Sequence, residues 1–292
     1  MASRLVGEPM QRTELIVLFT VCLIWAFHFI VIKLTVSAVP PLFYAAVRMG
    51  LLAVIFIPFL RIYEGRMLRI LCAGVCMGGL NYAFMFIGIQ HTSPSTAAIA
   101  VELRIPFAAV LSVIFLGEKV GWRRSTGIAL AFSGVCLIAL KPGEGGVGFG
   151  IALLAIGALF DAAGAVLVKS LTGVPILRLQ AWVALIGAIV SWLATFTLET
   201  NQWSAAQEAG ALFYGAVLYS AFLSSLVAAS GYYWLLQRHD VSKIAPGVMM
   251  TPVMGVAFGV WLTGDQLTFL MVVGSFITLI GVFVVMSRSA RM

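Results

Sequence analysis

Two carboxylates, Glu102 and Asp161, and two guanidiniums, Arg48 and Arg104, stand inside stretches of chain that are otherwise apolar. On insertion scales a charged side chain at the centre of a bilayer costs about 3 kcal/mol. Such a group persists where it meets an opposite charge, a wet cavity or a bound solute. The two acids suit a substrate amine or a travelling proton, or a buried structural pair with one of the arginines. A guanidinium presents a fork that matches a carboxylate. One arginine would hold Glu102 and the other the carboxylate of a substrate, or both would be structural. Glu102 and Arg104 are two positions apart. On a helix this turns them to different sides, so they are not expected to pair with each other.

Aromatic and polar residues at similar depth complete a candidate binding wall. Trp25 and His28 share a helix face at i, i+3. The titration range of histidine admits a proton-linked step, and a hydrogen-bonded packing histidine fits equally. Asn81 and Tyr82 lie in the middle of another apolar stretch, and Tyr232 in a third. Pro106 and Pro252 each fall near the middle of an apolar stretch. A proline there removes a backbone hydrogen bond and kinks the helix, which suits a paired hinge. The expected substrate site is therefore Trp25, His28, Asn81, Tyr82, Glu102, Arg104, Asp161 and Tyr232, with Pro106 and Pro252 as gating positions. Catalysis is not expected. The chain has no P-loop, no HExxH and no nucleophile–base set. Cys22, Cys72, Cys76 and Cys136 show no zinc spacing or disulfide framework and read as packing residues. No metal or cofactor is expected.

The elements that must position these residues are ten apolar stretches. They run approximately 14–36, 41–60, 68–89, 94–116, 122–140, 147–169, 177–198, 211–236, 242–263 and 267–287. A helix needs about 20 apolar residues to cross a bilayer. The chain has 292 residues, 62% hydrophobic and 10% charged, against roughly 25% charged in a soluble domain. The runs are continuous, which excludes the alternating strands of a barrel. The net charge of +7 does not imply a nucleic-acid partner. Of 18 Lys and Arg, 14 fall on one side if the spans alternate from a cytoplasmic N-terminus. Lys33 and Lys141 fall on the other, and Arg48 and Arg104 lie within spans. This is the positive-inside asymmetry, and it places both termini in the cytoplasm.

The chain also repeats itself. Gly117-Glu118 is followed by Gly127 and Gly134, and Gly264-Asp265 by Gly274 and Gly281, at the same spacing. Pro106 and Pro252 precede these acids at nearly equal distances. Trp25 to Lys33 lies over Asp161 to Lys169, and Val39-Pro40 over Val174-Pro175. Five spans per unit make the second copy enter the membrane upside down, the mark of an alternating-access carrier. The expected fold is an all-α integral membrane protein of ten transmembrane helices in two inverted five-helix repeats. Residues 13–141 and 147–287 form the repeats, 142–146 the linker, and 1–12 and 288–292 short cytoplasmic tails. The paired glycines read as close helix–helix packing.

The run Phe115-Leu116-Gly117-Glu118, then Gly127-Ile128-Ala129-Leu130 and Ser133-Gly134-Val135, resembles the signature of the drug/metabolite transporter superfamily in its EamA-type branch. Its second copy reads Leu262-Thr263-Gly264-Asp265, Gly274 and Gly281-Val282, with Asp265 in place of glutamate. Trp25-Ala26-Phe27 resembles the family's opening, with Ala26 in place of glycine. Arg48 stands where the family often has an arginine. The family's Glu-Pro pair becomes Arg104-Ile105-Pro106 here, with the glutamate at Glu102. Within the branch the chain is most similar to bacterial exporters of aromatic and other neutral amino acids. The resemblance implies ten helices in two inverted halves around a central cavity. It also implies a small-molecule substrate exported from the cytoplasm across the bacterial inner membrane, driven by the solute gradient or by proton exchange. Export of lipophilic cations or drugs, carriage of a phosphorylated metabolite, a static channel and an intramembrane lipid enzyme are the alternatives.

Overall fold

A computed structural model describes residues 10–117, 121–139, 145–171, 173–239, 244 and 247–289. Among the described residues every regular element is helical. The long helices are α1 (Arg12–Ala38), α2 (Pro41–Phe59), α3 (Met67–Gln90), α4 (Pro94–Leu116), α5 (Trp122–Ala139), α6 (Gly145–Lys169), α7 (Ile176–Leu198), α8 (Ala211–Leu236), α9 (Met250–Thr263) and α10 (Phe269–Ser289). A short surface helix, Gln202–Ala209, joins α7 to α8. Eight of the long helices are long and apolar enough to cross a membrane. The other two are α5, which opens on Arg123 and Arg124, and α9, which is apolar but 14 residues long. The ninth apolar stretch, expected from residue 242, is helical at Ile244, Gly247 and Val248 and again over Met250–Thr263. Most of 240–246 lies outside the described residues, as do Glu118, Lys141 and most of the expected linker.

The helix pairs exchange between the two halves. The broad interfaces join α5 to α10, α3 to α6 and α2 to α7. Packing of α3 on α6 has its counterpart in α8 on α1, and α1 on α9 in α6 on α4. The glycines of the repeat show why the first interface is so close. A methyl added to Gly281 would sit 2.6 Å from the Gly127 carbonyl oxygen, and one on Gly274 2.6 Å from that of Gly134. Only hydrogen at these Cα atoms lets the two backbones meet. The glycines that end α4 and α9 have a different role. Gly117 and Gly264 both close their helices in the left-handed region, with φ 68° and 70°. A side chain there is strained, which explains their place in the repeat.

The polar residues past the helix ends stitch the halves together. Asp265 accepts the backbone N–H of Ser95 at 2.9 Å, near the start of α4, and the hydroxyl of Thr263 at 2.8 Å. Glu199, after α7, accepts the N–H groups of Leu42 and Phe43 at 2.8 and 2.9 Å at the start of α2. Each carboxylate satisfies donors that a helix start leaves unpaired. At this end of the bundle Phe43 packs against Trp192, Trp203 and Phe213. The outer surface is apolar: Trp261 and Phe269 are 78% and 80% exposed. Such a belt suits lipid rather than water as its solvent.

Four helices depart from regular α geometry, α2 only in a closing 3₁₀ turn at Ile57–Phe59. In α4, Val101–Leu103 tightens to a 3₁₀ turn before the α segment Arg104–Leu116. Pro106 is the third residue of that segment, and Pro252 is the third residue of α9. Mid-helix kinks were expected at both. Pro106 lies midway along α4, directly after the 3₁₀ turn, and Pro252 lies just after a turn at Met249; in each place the regular α pattern restarts just before the ring, so the missing N–H falls at a break in that pattern. In α3 and α8 the turns widen to π-helix over Gly74–Leu80 and Tyr219–Ala228. These are the third helices of their halves, so the widening recurs under the repeat.

Candidate functional site

The helices enclose a cavity of about 770 Å³, drawn from both halves of the chain. This is within the usual range for a small-molecule site, about 300–1,000 Å³. Trp25 of α1, Glu102 and Arg104 of α4, Asp161 of α6 and Tyr232 of α8 line it. The cavity extends to Arg124 of α5 and Lys169 of α6. The closed aromatic end around Phe43 is not part of its wall.

The acid and base of α4 meet, contrary to expectation. Arg104 Nη2 lies 3.7 Å from Glu102 Oε1. Helical phase alone turns these residues apart. The 3₁₀ turn and the open cavity beside it let the long guanidinium stem reach round to the carboxylate. The Glu102 side chain is 9% exposed and that of Arg104 44%, so the base is the more accessible partner. Asp161 is half-buried across the cavity on α6. The arrangement offers a solute two carboxylates and a guanidinium within one apolar enclosure.

The aromatic side is held by the widened turn of α8. A π turn leaves backbone carbonyls free for other donors. Trp25 Nε1 donates to the Ser224 carbonyl at 3.2 Å, and Tyr219 donates to the Ile24 carbonyl at 2.8 Å. Trp25 and Tyr232 then meet edge to face, with centroids 5.5 Å apart. These bonds set the two rings against the cavity.

The other expected site residues are placed elsewhere. His28 is buried behind the Trp25 layer. Its ring nitrogens lie 2.8 Å from Ser220 Oγ and 3.2 Å from Ser224 Oγ, and Tyr44 also bonds Ser220. It is not among the cavity-lining residues. Tyr82 turns to Arg48, whose guanidinium lies 4.3 Å from its ring centroid. Asn81 begins the α-helical part of α3 directly after the π segment, and its carbonyl faces Gly157 of α6. Neither lines the cavity. Sequence reasoning did not anticipate the basic end of the cavity at Arg124 and Lys169, nor that the serines of α8 would bond His28 and Arg48. The cluster Ser220, Ser224 and Ser225 in an apolar helix was the available signal.

A bundle of apolar helices around a cavity that sets a few charged groups in an apolar wall, shared by two similar halves, defines a membrane carrier of small molecules. The chain belongs to the EamA-like transporter family, whose pattern it matches twice, over residues 12–140 and 148–287. It is a transporter and not an enzyme. A "Probable amino-acid metabolite efflux pump" of Escherichia coli (strain K12) is 26% identical over 94% of this chain and 95% of its own. An "Uncharacterized transporter" of Archaeoglobus fulgidus is 27% identical over 94% and 98%. A solved structure described as "Crystal structure of protein" has the same fold, with a TM-score of 0.63 at 19% identity over 97% of this chain and 99% of that one.

Proposed function

We propose that the protein exports amino acids, aromatic or other neutral, or metabolites of similar build, from the cytoplasm across a bacterial inner membrane by alternating access. The observation that carries this reading is the grouping of Glu102, Arg104 and Asp161 beside Trp25 and Tyr232 in one cavity. A zwitterion needs an acid for its amine and a base for its carboxylate, and an aromatic side chain needs an apolar wall. The name of the Escherichia coli relative supports the same substrate class. Ten crossings in two inverted halves, 13–141 and 147–287, are supported by the exchanging helix contacts and the doubled family match. With both termini in the cytoplasm, Arg124 and Lys169 mark the cytoplasmic end of the cavity. The structure is then the inward-facing state, sealed outside by Glu199, Asp265 and the Phe43 aromatics.

Efflux from proteoliposomes loaded with an amino-acid mixture, read by mass spectrometry with and without a pH gradient, tests this reading. Selective loss of aromatic or other neutral amino acids is expected, and dependence on the gradient would add proton exchange to the mechanism. Folded protein with no selective loss would remove amino acids as substrates. A phosphorylated metabolite is the second reading, favoured by three bases along the cavity, Arg104, Arg124 and Lys169. Against it, Arg124 and Lys169 are already engaged within the protein.

Pro106 and Pro252 are assigned as paired hinges on their matched place at the start of α segments. Their rigid rings separate the first turn from the backbone before it, so bending concentrates there. Pro106→Ala is expected to slow turnover severalfold while folded yield stays constant. A wild-type rate in Pro106→Ala would remove the hinge assignment.

A further inference from the structure

Arg48 is 2% exposed, yet among the described residues no carboxylate lies within ion-pair distance of it. Its Nη2 donates to Ser225 Oγ at 2.9 Å and approaches the Tyr82 hydroxyl at 3.4 Å. Its Nε and Nη1 are buried and have no partner among the described residues. The Tyr82 ring face, 4.3 Å from the guanidinium, offsets only part of the cost of burying this charge, and an apolar side chain of similar size would avoid that cost. The contrast with Arg104 is direct, because Arg104 has Glu102 beside it.

The surroundings supply further donors and no acid. Ser225 bonds the Ser220 carbonyl at 2.9 Å, and Ser220 joins His28 and Tyr44. The network is fully buried at Ser220 and half-buried at Ser225 and Tyr82, so it reaches accessible surface there. It occupies the closed half of the bundle, one layer beyond Trp25, which bonds the neighbouring Ser224 carbonyl. The free Nε and Nη1 lie on opposite sides of Nη2, so a carboxylate that bonds either of them takes its second bond from Nη2 in place of a hydroxyl.

We propose that Arg48 is an anion subsite on the outer side of the cavity. It takes a carboxylate, or a small inorganic anion in its place, when the closed half opens. The proposal rests on the transport reading for its access to both faces, but not on any one substrate. The carboxylate comes either from the transported solute or from free salt, and the test separates the two.

The test uses Ser225→Cys in a background with Cys22, Cys72, Cys76 and Cys136 replaced by serine or alanine, purified in detergent. Two methanethiosulfonate reagents of similar size are compared, one bearing a sulfonate and one a trimethylammonium. The anionic reagent is expected to react about tenfold faster, because a unit charge this close biases encounter strongly at low dielectric. Arg48→Gln should abolish that preference, and Arg48→Lys should keep most of it, which guards against a folding failure in the first variant. Protection by an amino acid but not by its amide assigns the anion to the solute. Protection by chloride or acetate, with none by amino acids, leaves the subsite standing and removes the amino-acid reading. No reaction with either reagent, or a charge preference unchanged in Arg48→Gln, overturns the proposal.

Discussion

Replacing Arg104 by methionine is expected to lower transport by about 100-fold while the protein still folds. The guanidinium lies 3.7 Å from Glu102, and it shares the cavity with Asp161. Truncating one partner of a charge pair at a binding site costs about 2–5 kcal/mol of binding. The Arg104 side chain is 44% exposed, which brings the figure to the lower half of that range. At about 1.4 kcal/mol per tenfold, the loss is near two orders of magnitude. It acts on transport in two ways: the solute loses its carboxylate partner, and an uncompensated Glu102 competes for protons or cations. Arg104→Lys keeps the charge without the fork and is expected to recover part of the rate. Adding Glu102→Gln to Arg104→Met should recover thermal stability but not transport. Proteoliposome flux and unfolding in detergent read the two effects separately. Wild-type flux in Arg104→Met would take the base out of the substrate site.

Gly134→Leu is expected to abolish recovery of folded protein. The repeat glycines of α5 and α10 lie backbone to backbone, and a Cβ on Gly134 would already sit 2.5 Å from the Gly274 carbonyl oxygen. Alanine must force the helices apart and is expected to cost about 1–3 kcal/mol, with larger side chains costing more. The loss is read as the monodisperse fraction in size-exclusion chromatography and as the unfolding temperature. Gly215→Ala is the control, because nothing lies within 4 Å of the added methyl. Alanine there is expected to be neutral or stabilising by up to about 1 kcal/mol, since it favours the helix. If Gly134→Leu gave as much folded protein as Gly215→Ala, the α5–α10 seam would not be a close backbone contact.

Both predictions rest on features that were visible in the sequence to different degrees. The equal spacing of Gly127, Gly134, Gly274 and Gly281 announced a packing seam, and the structure pairs each glycine with its partner from the other half. Gly117 and Gly264 were visible as repeat marks, and their left-handed backbone supplies the reason. The acids and bases were visible as charges in apolar runs. Their pairing was not, because helical phase argued that Glu102 and Arg104 diverge. A 3₁₀ turn of three residues was enough to change the outcome.

Hydropathy and charge in the chain order alone specify a helical membrane protein with two similar halves. Lipid leaves a backbone few alternatives to the helix, and apolar length is a local property that needs no knowledge of the fold. Family membership was likewise readable from short local motifs. The membership of the cavity wall was not. Whether a residue on a helix faces a cavity, a neighbour or lipid depends on how that helix is rotated, and long-range packing sets the rotation. His28 illustrates the limit, since its partners Ser220 and Ser224 lie more than 190 residues away in the chain. The widened turns of α3 and α8 illustrate it again: they re-aim side chains by a fraction of a turn, and the contacts that hold them come from other helices. Trp25 and Tyr232 meet only because α1 and α8 pack together. Arg48 lies among serines and rings because α2 and α8, far apart in sequence, close on the same side.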